Sequence, residues 1–227
     1  YALIGGLVGS ALAYEGTQII IWNGLVGKVI IPMFLSPIIG FTIALGVMKL
    51  LFFYLTKRPS AEDKSIFKHL QIGSACFVAL SHGLNDAQKS MGIITLGLFT
   101  AGRLASPEIP LWVILACAGV MGLGTASGGF RIIRTMGFAI TKITTIQGFA
   151  AEMSSSLVIL TASFLGMPVS STHVIAGGIT GVGTAKSLKA VQWKTPQRLV
   201  LAWFLTLPGA GLVGAGTYFL AQTLGIR

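Results

Sequence analysis

The chain has 227 residues, of which 53% are hydrophobic and 10% charged, and its net charge is +10. A soluble domain carries about 25% charged residues, so the soluble-enzyme classes are excluded and an all-α, polytopic membrane protein is expected. In such a protein a basic excess reports loop orientation, and no long basic block is present that would make nucleic acid a partner.

Residues 1–13 are apolar but make only about half a span, since a crossing takes roughly 20 residues. They lack a basic start and a cleavage site, so they are not read as a signal peptide; they look like the tail of an element that begins upstream. Residues 14–28 mix Glu15, Lys28 and Trp22 and suit the interface, with Trp22 as a belt residue. Residues 29–55 form one span, kinked at Pro32 and Pro37, with Lys49 near its far end able to snorkel. Residues 57–69 read as a polar loop. The span 70–102 carries a dense polar island, Ser81-His82-Gly83-Leu84-Asn85-Asp86-Ala87-Gln88-Lys89-Ser90-Met91-Gly92. Charges at that depth are costly and usually line a binding site or a wet path. After a turn at 103–108, residues 110–129 span back. Residues 130–146 hold Arg131, Arg134 and Lys142 and suit a surface helix. Residues 147–166 are apolar except for Glu152 and Ser154-Ser155-Ser156, and 168–173 is a polar break. Then come a half-length apolar piece at 174–185, a basic stretch at 186–198 and a last span at 199–224, interrupted at Pro208-Gly209. Cys76 and Cys117 sit inside apolar runs, as small buried residues rather than a disulfide.

Charge decides how 147–185 crosses. If it is a re-entrant hairpin turning at Gly166-Met167-Pro168, loops 57–69, 130–146 and 186–198 share one side and hold eleven Lys and Arg against three opposite. A single crossing leaves eight against six. The positive-inside rule therefore favours the hairpin and makes those three loops cytoplasmic. Non-helical backbone at its tip must be buried in protein or face a wet cavity.

An internal repeat supports the plan. Ala2-Leu3-Ile4-Gly5-Gly6-Leu7-Val8-Gly9 matches Val174-Ile175-Ala176-Gly177-Gly178-Ile179-Thr180-Gly181, Trp22 matches Trp193, and Phe34-Leu35-Ser36-Pro37 resembles Phe204-Leu205-Thr206-Leu207-Pro208. An odd number of spans separates the copies, so they run in opposite orientation, as in secondary transporters with inverted-topology repeats. Residues 1–56 are then the end of a first repeat (hairpin arm, interfacial segment, kinked span). Residues 70–227 are the second, with a broken span at 70–102. The remainder of the first, a missing N-terminal repeat, is expected upstream.

The polar island, Gly166-Met167-Pro168-Val169-Ser170-Ser171-Thr172-His173 and Gln147-Gly148-Phe149-Ala150-Ala151-Glu152 together resemble the signatures of the inorganic phosphate transporter (Pit) family. The resemblance implies a sodium- or proton-coupled phosphate permease in the inner or plasma membrane, with no cofactor beyond the coupling ion. Tyr1 stands where the second copy has His173, so a histidine is not needed in both.

The chemistry fits. Phosphate needs donors and positive potential, and a half-helix beginning near Ser170 offers free N–H groups and a positive dipole end. Ser170, Ser171 and Thr172 add hydroxyls, though each could simply cap the helix. Asn85 can donate to phosphate; Asp86, when ionised, only accepts. Asp86 is therefore protonated or shares the site with a cation, unless it pairs structurally with Lys89 or His82. Glu152 reads as a cation ligand, a proton carrier or a paired structural acid, with Gln147 assisting. His82, Lys89 and His173 are supporting candidates. A different class stays open: an anion channel, or a receptor subunit with a structural polar core. The coupling ion and the oligomeric state, a homodimer included, are undetermined.

Overall fold

The computed structural model describes residues 1–57 and 61–225. Among them every regular element is helical. Three helical stretches are long and apolar enough to cross a membrane, Trp22–Thr56, Leu111–Phe130 and Lys194–Thr223. The chain divides into two units, Tyr1–Pro32 with Trp193–Arg227, and Met33–Gln192.

In the first unit, α1 (Ala2–Glu15) packs along α8 (Lys194–Thr223). The contact is backbone to backbone. A side chain at Gly9 would strike the Gly211 carbonyl, and one at Gly5 would come within 2.6 Å of the Leu207 carbonyl. Small residues four apart are what close helix packing in lipid requires. Tyr14 meets Tyr218 edge-on at the end of the pair. No residue of α8 is buried, which leaves its apolar surface for lipid. Between α1 and the long helix lie a 3-10 turn (Gly16–Ile19), the single turn α2 (Trp22–Leu25) and a π-helical turn (Val26–Ile30).

The second unit holds most of α3 (Ile31–Lys57, with Pro37 inside), then α4 (Ala61–Thr100), α5 (Leu111–Arg134), α6 (Thr145–Phe164) and α7 (Ser171–Lys186). α6 starts with a capping box. The Thr144 hydroxyl accepts from the Gln147 N–H, and the Gln147 side chain accepts from the Thr144 N–H at 3.0 Å. The helix ends in a Schellman turn, with Met167 N–H on Ala162 O (2.9 Å) and Gly166 N–H on Ser163 O (3.1 Å). Gly166 takes φ +65° there, a conformation open to glycine at no cost. Pro168 then prevents helix from resuming until Ser170 caps α7. The two arms pack against each other through Val158, Ile159 and Val174.

α7 also rests on α3. Side chains at Gly177 and Gly181 would strike the carbonyls of Pro37 and Phe41. Gly177 and Gly181 are the repeat partners of Gly5 and Gly9, so matched glycines make matched contacts on a long proline-containing helix in both units.

α4 differs from expectation in two ways. The loop expected at 57–69 is helix from Ala61 onward, with residues 58–60 outside the described residues. The span expected to break at the polar island is an unbroken helix of 40 residues. At about 1.5 Å per residue it is roughly 60 Å long, twice a bilayer core. No proline interrupts it, and the island's side chains find partners on the hairpin tip, so the backbone ladder need not open. Residues 130–146 divide as well: α5 runs on to Arg134, a π-helical turn follows at Thr135–Ala139, and non-helical backbone leads to Thr145.

Candidate functional site

One face of α4 meets α6 in steps of three and four residues. Phe67 stacks edge-on with Phe149 at 5.6 Å, Gln71 lies against Gly148, Ser74 donates to Glu152, Ser81 is fully buried, and Asn85 reaches the turn after α6. This is the seam of a helix pair read through small and polar residues. It sets the register in which the hairpin tip arrives at the polar island.

At the tip, the Val169 carbonyl accepts from Lys89 Nζ at 2.8 Å and from Asn85 Nδ2 at 3.0 Å. Lys89 Nζ also lies 2.9 Å from Asp86 Oδ1, one turn back on α4. The other carboxylate oxygen accepts from the Ser171 hydroxyl at 3.2 Å and faces His82 Nδ1 at 3.3 Å. His82 Nδ1 is in turn 2.6 Å from Ser171 Oγ. Asp86 thus sits at the N-terminus of α7, where the helix dipole favours a negative charge. Ser170 is the cap of that helix, accepting from His173 N–H at 3.4 Å, while the Ser171 and Thr172 amides precede the first intrahelical bonds. His82, Asn85, Asp86, Lys89 and Ser171 therefore form one connected cluster, and Ser170 and Thr172 flank it.

Two cavities touch this cluster. The larger, about 780 Å³, is walled by His82, Ser90 and Thr172 together with apolar faces of α4 and α5. The smaller, about 260 Å³, is walled by Asn85, Gln88, Lys89 and the turn residues Ser163, Gly166 and Pro168. Polar groups that can bind an anion thus face open space on both sides of the tip.

Glu152 and Gln147 do not join Asp86. Glu152 pairs with Ser74, twelve residues before Asp86, which at 1.5 Å per residue is about 18 Å along α4. Gln147 is buried and its side-chain oxygen is committed to the capping box. The two candidate cation carboxylates, Asp86 and Glu152, therefore lie at two separate levels of α4. His173 is buried, and its backbone N–H donates to the Ser170 cap. Sequence reasoning missed Ser74 and the Val169 carbonyl. The seven- and four-residue spacing of Ser74, Ser81 and Asn85, one helix face, signals the first; a backbone carbonyl carries no signal of its own.

The model of the phosphate transporter family matches residues 1–65 and 54–214. The chain belongs to the phosphate transporter family. It is 45% identical over 224 residues to the low-affinity inorganic phosphate transporter of Rhizobium meliloti (strain 1021), covering 98% of this chain and 66% of that one. It is 44% identical to the corresponding protein of Mycobacterium tuberculosis (strain ATCC 25618 / H37Rv), covering 99% and 54%. A phosphate permease of Pyrococcus furiosus is 29% identical, covering 97% and 70%. Among solved structures, a sodium-dependent phosphate transporter superposes with TM-score 0.64 at 25% identity, over 97% of this chain and 64% of that chain. This phosphate transporter family chain thus spans about half to two thirds of the length of these first two relatives, both named as inorganic phosphate transporters.

Proposed function

We propose that this chain forms the second repeat, with the end of the first, of a secondary transporter that moves inorganic phosphate with a cation by alternating access. The observation that carries the reading is the seating of the α7 N-terminus on Asp86, through Ser171 at 3.2 Å. That places hydroxyls, free amides and a positive helix end beside an acid–amide pair, with cavities on two sides. Phosphate is bound by the Ser170–Thr172 helix start and by the Asn85 amide, which exchanges its contact to Asp86 Oδ1 for a phosphate oxygen. Asp86 and Glu152 are the two carboxylates that positive charge must balance, and the coupling ion, sodium or proton, is taken up against one of them. The likeness to a sodium-dependent transporter supports sodium. The two glycine-matched helices, α1 and α7, are the corresponding arms of inverted repeats. The protein resides in the cell membrane, with the basic segments 57–69, 130–146 and 186–198 on the cytoplasmic side.

The test is uptake of radiolabelled phosphate by the full-length transporter in vesicles, with imposed sodium and proton gradients. The reading expects accumulation driven by one of them. Phosphate currents indifferent to both gradients would point to a channel, and binding without flux to a receptor; either would overturn it.

A further inference from the structure

The oxygens around Lys89 are those a hard metal cation would take, a carboxylate and a backbone carbonyl. Lys89 Nζ holds both, Asp86 Oδ1 at 2.9 Å and Val169 O at 2.8 Å. Asn85 Nδ2 donates to the same two oxygens, at 3.2 Å and 3.0 Å. The lysine reaches them from within its own helix, three residues on from Asp86, with its side chain 24% exposed. We infer that the Lys89 ammonium is a tethered cation for this site: it balances Asp86 permanently and excludes a free monovalent cation from the phosphate-binding level. This rests on the phosphate-transport reading above.

The physical argument has three parts. First, Asp86 beside phosphate repels it unless neutralised, and the ammonium supplies the neutralising charge without any ion from solution. With Asp86 and Lys89 balanced, the α7 N-terminus keeps its positive end for the anion. Second, a sodium ion on Asp86 Oδ1 and Val169 O would sit where Nζ sits. It would have to expel Lys89 from both oxygens and leave the ammonium without its partners, or accept a like charge in contact. Third, the ammonium is also the clasp of the hairpin tip, because Val169 O is the residue before the cap of α7. Charge balance and tip position are thereby held by one side chain. A freely exchanging coupling ion is left to Glu152, about 18 Å away along α4.

The experiment compares phosphate uptake by the full-length transporter and its Lys89→Ala variant, at fixed pH, as external sodium is replaced stepwise by choline. Removing the tethered charge opens the oxygen pair to a free cation. The variant is expected to lose uptake about tenfold or more in choline, the scale of one lost charge-assisted hydrogen bond. It is expected to regain uptake with added sodium or ethylammonium, along a curve steeper than that of the unmodified protein. A variant curve that superimposes on the unmodified one overturns the inference. So does a folded variant that no cation restores. If Lys89→Ala is not recovered folded, Lys89→Met, which keeps the stem's packing, is scored the same way. Failure of both to fold with sodium present also overturns it, because a replaceable cation is not a folding requirement. If the unmodified protein takes up no phosphate at all, the transport reading has failed instead.

Discussion

Ser170 and Ser171 are neighbours in sequence with different duties, which makes their alanine variants a matched pair. Ser170 Oγ accepts from His173 N–H and caps α7. Removing it costs about 1 kcal/mol of stability, a shift of roughly 2–4 °C in unfolding temperature for a chain of this size. Ser171 Oγ instead donates to the Asp86 carboxylate and lies 2.6 Å from His82. In the proposed bound state this hydroxyl turns from Asp86 to the phosphate; a hydrogen bond to a charged group is worth about 1.5–3 kcal/mol, so its loss lowers phosphate affinity by roughly tenfold to a hundredfold. The assay is phosphate uptake and binding by each full-length variant, alongside its thermal unfolding in detergent. Ser170→Ala is expected to lower the unfolding temperature with a small effect on affinity, and Ser171→Ala the reverse. If affinity in both variants falls only in proportion to stability, the hydroxyls are caps and the phosphate assignment is wrong.

Glu152→Gln is expected to raise the half-saturating concentration of the coupling ion about tenfold or more, the scale of one lost charge-assisted contact, with phosphate affinity at saturating ion little changed; an unaltered ion curve would remove Glu152 from the coupling path. Gly177→Val drives a branched side chain into the Pro37 carbonyl. Overpacking costs about 1–3 kcal/mol, and backbone has little room to yield, so a sharp fall in folded yield by size-exclusion chromatography is expected; normal yield would refute the α7–α3 contact.

Parts of this architecture are written in single residues. Gly166 and Pro168 mark the turn, Ser170 marks the start of α7, and Pro37 and Pro208 lie within long helices as their apolar flanks suggest. The island was harder to read. Gly83, Asn85 and Asp86 all disfavour a helix interior, which suggests a break, yet tertiary partners on the hairpin tip hold α4 continuous. The separation of Glu152 from Asp86 was not legible, because it depends on the register of α6 against α4. Neither was the hub of the cluster, the Val169 carbonyl, since every residue carries one.

Asp86 is the residue on which the Lys89 ammonium, the start of α7 and the hairpin tip converge. Asp86→Asn deletes its charge-assisted contacts to Lys89 and Ser171, each worth about 1.5–3 kcal/mol, so coupled phosphate uptake is expected to fall about a hundredfold or more. The measurement is gradient-driven uptake by the full-length variant in vesicles, with folding checked by size exclusion. Folded protein without coupled uptake agrees with the account; folded protein with uptake like that of the unmodified transporter contradicts it.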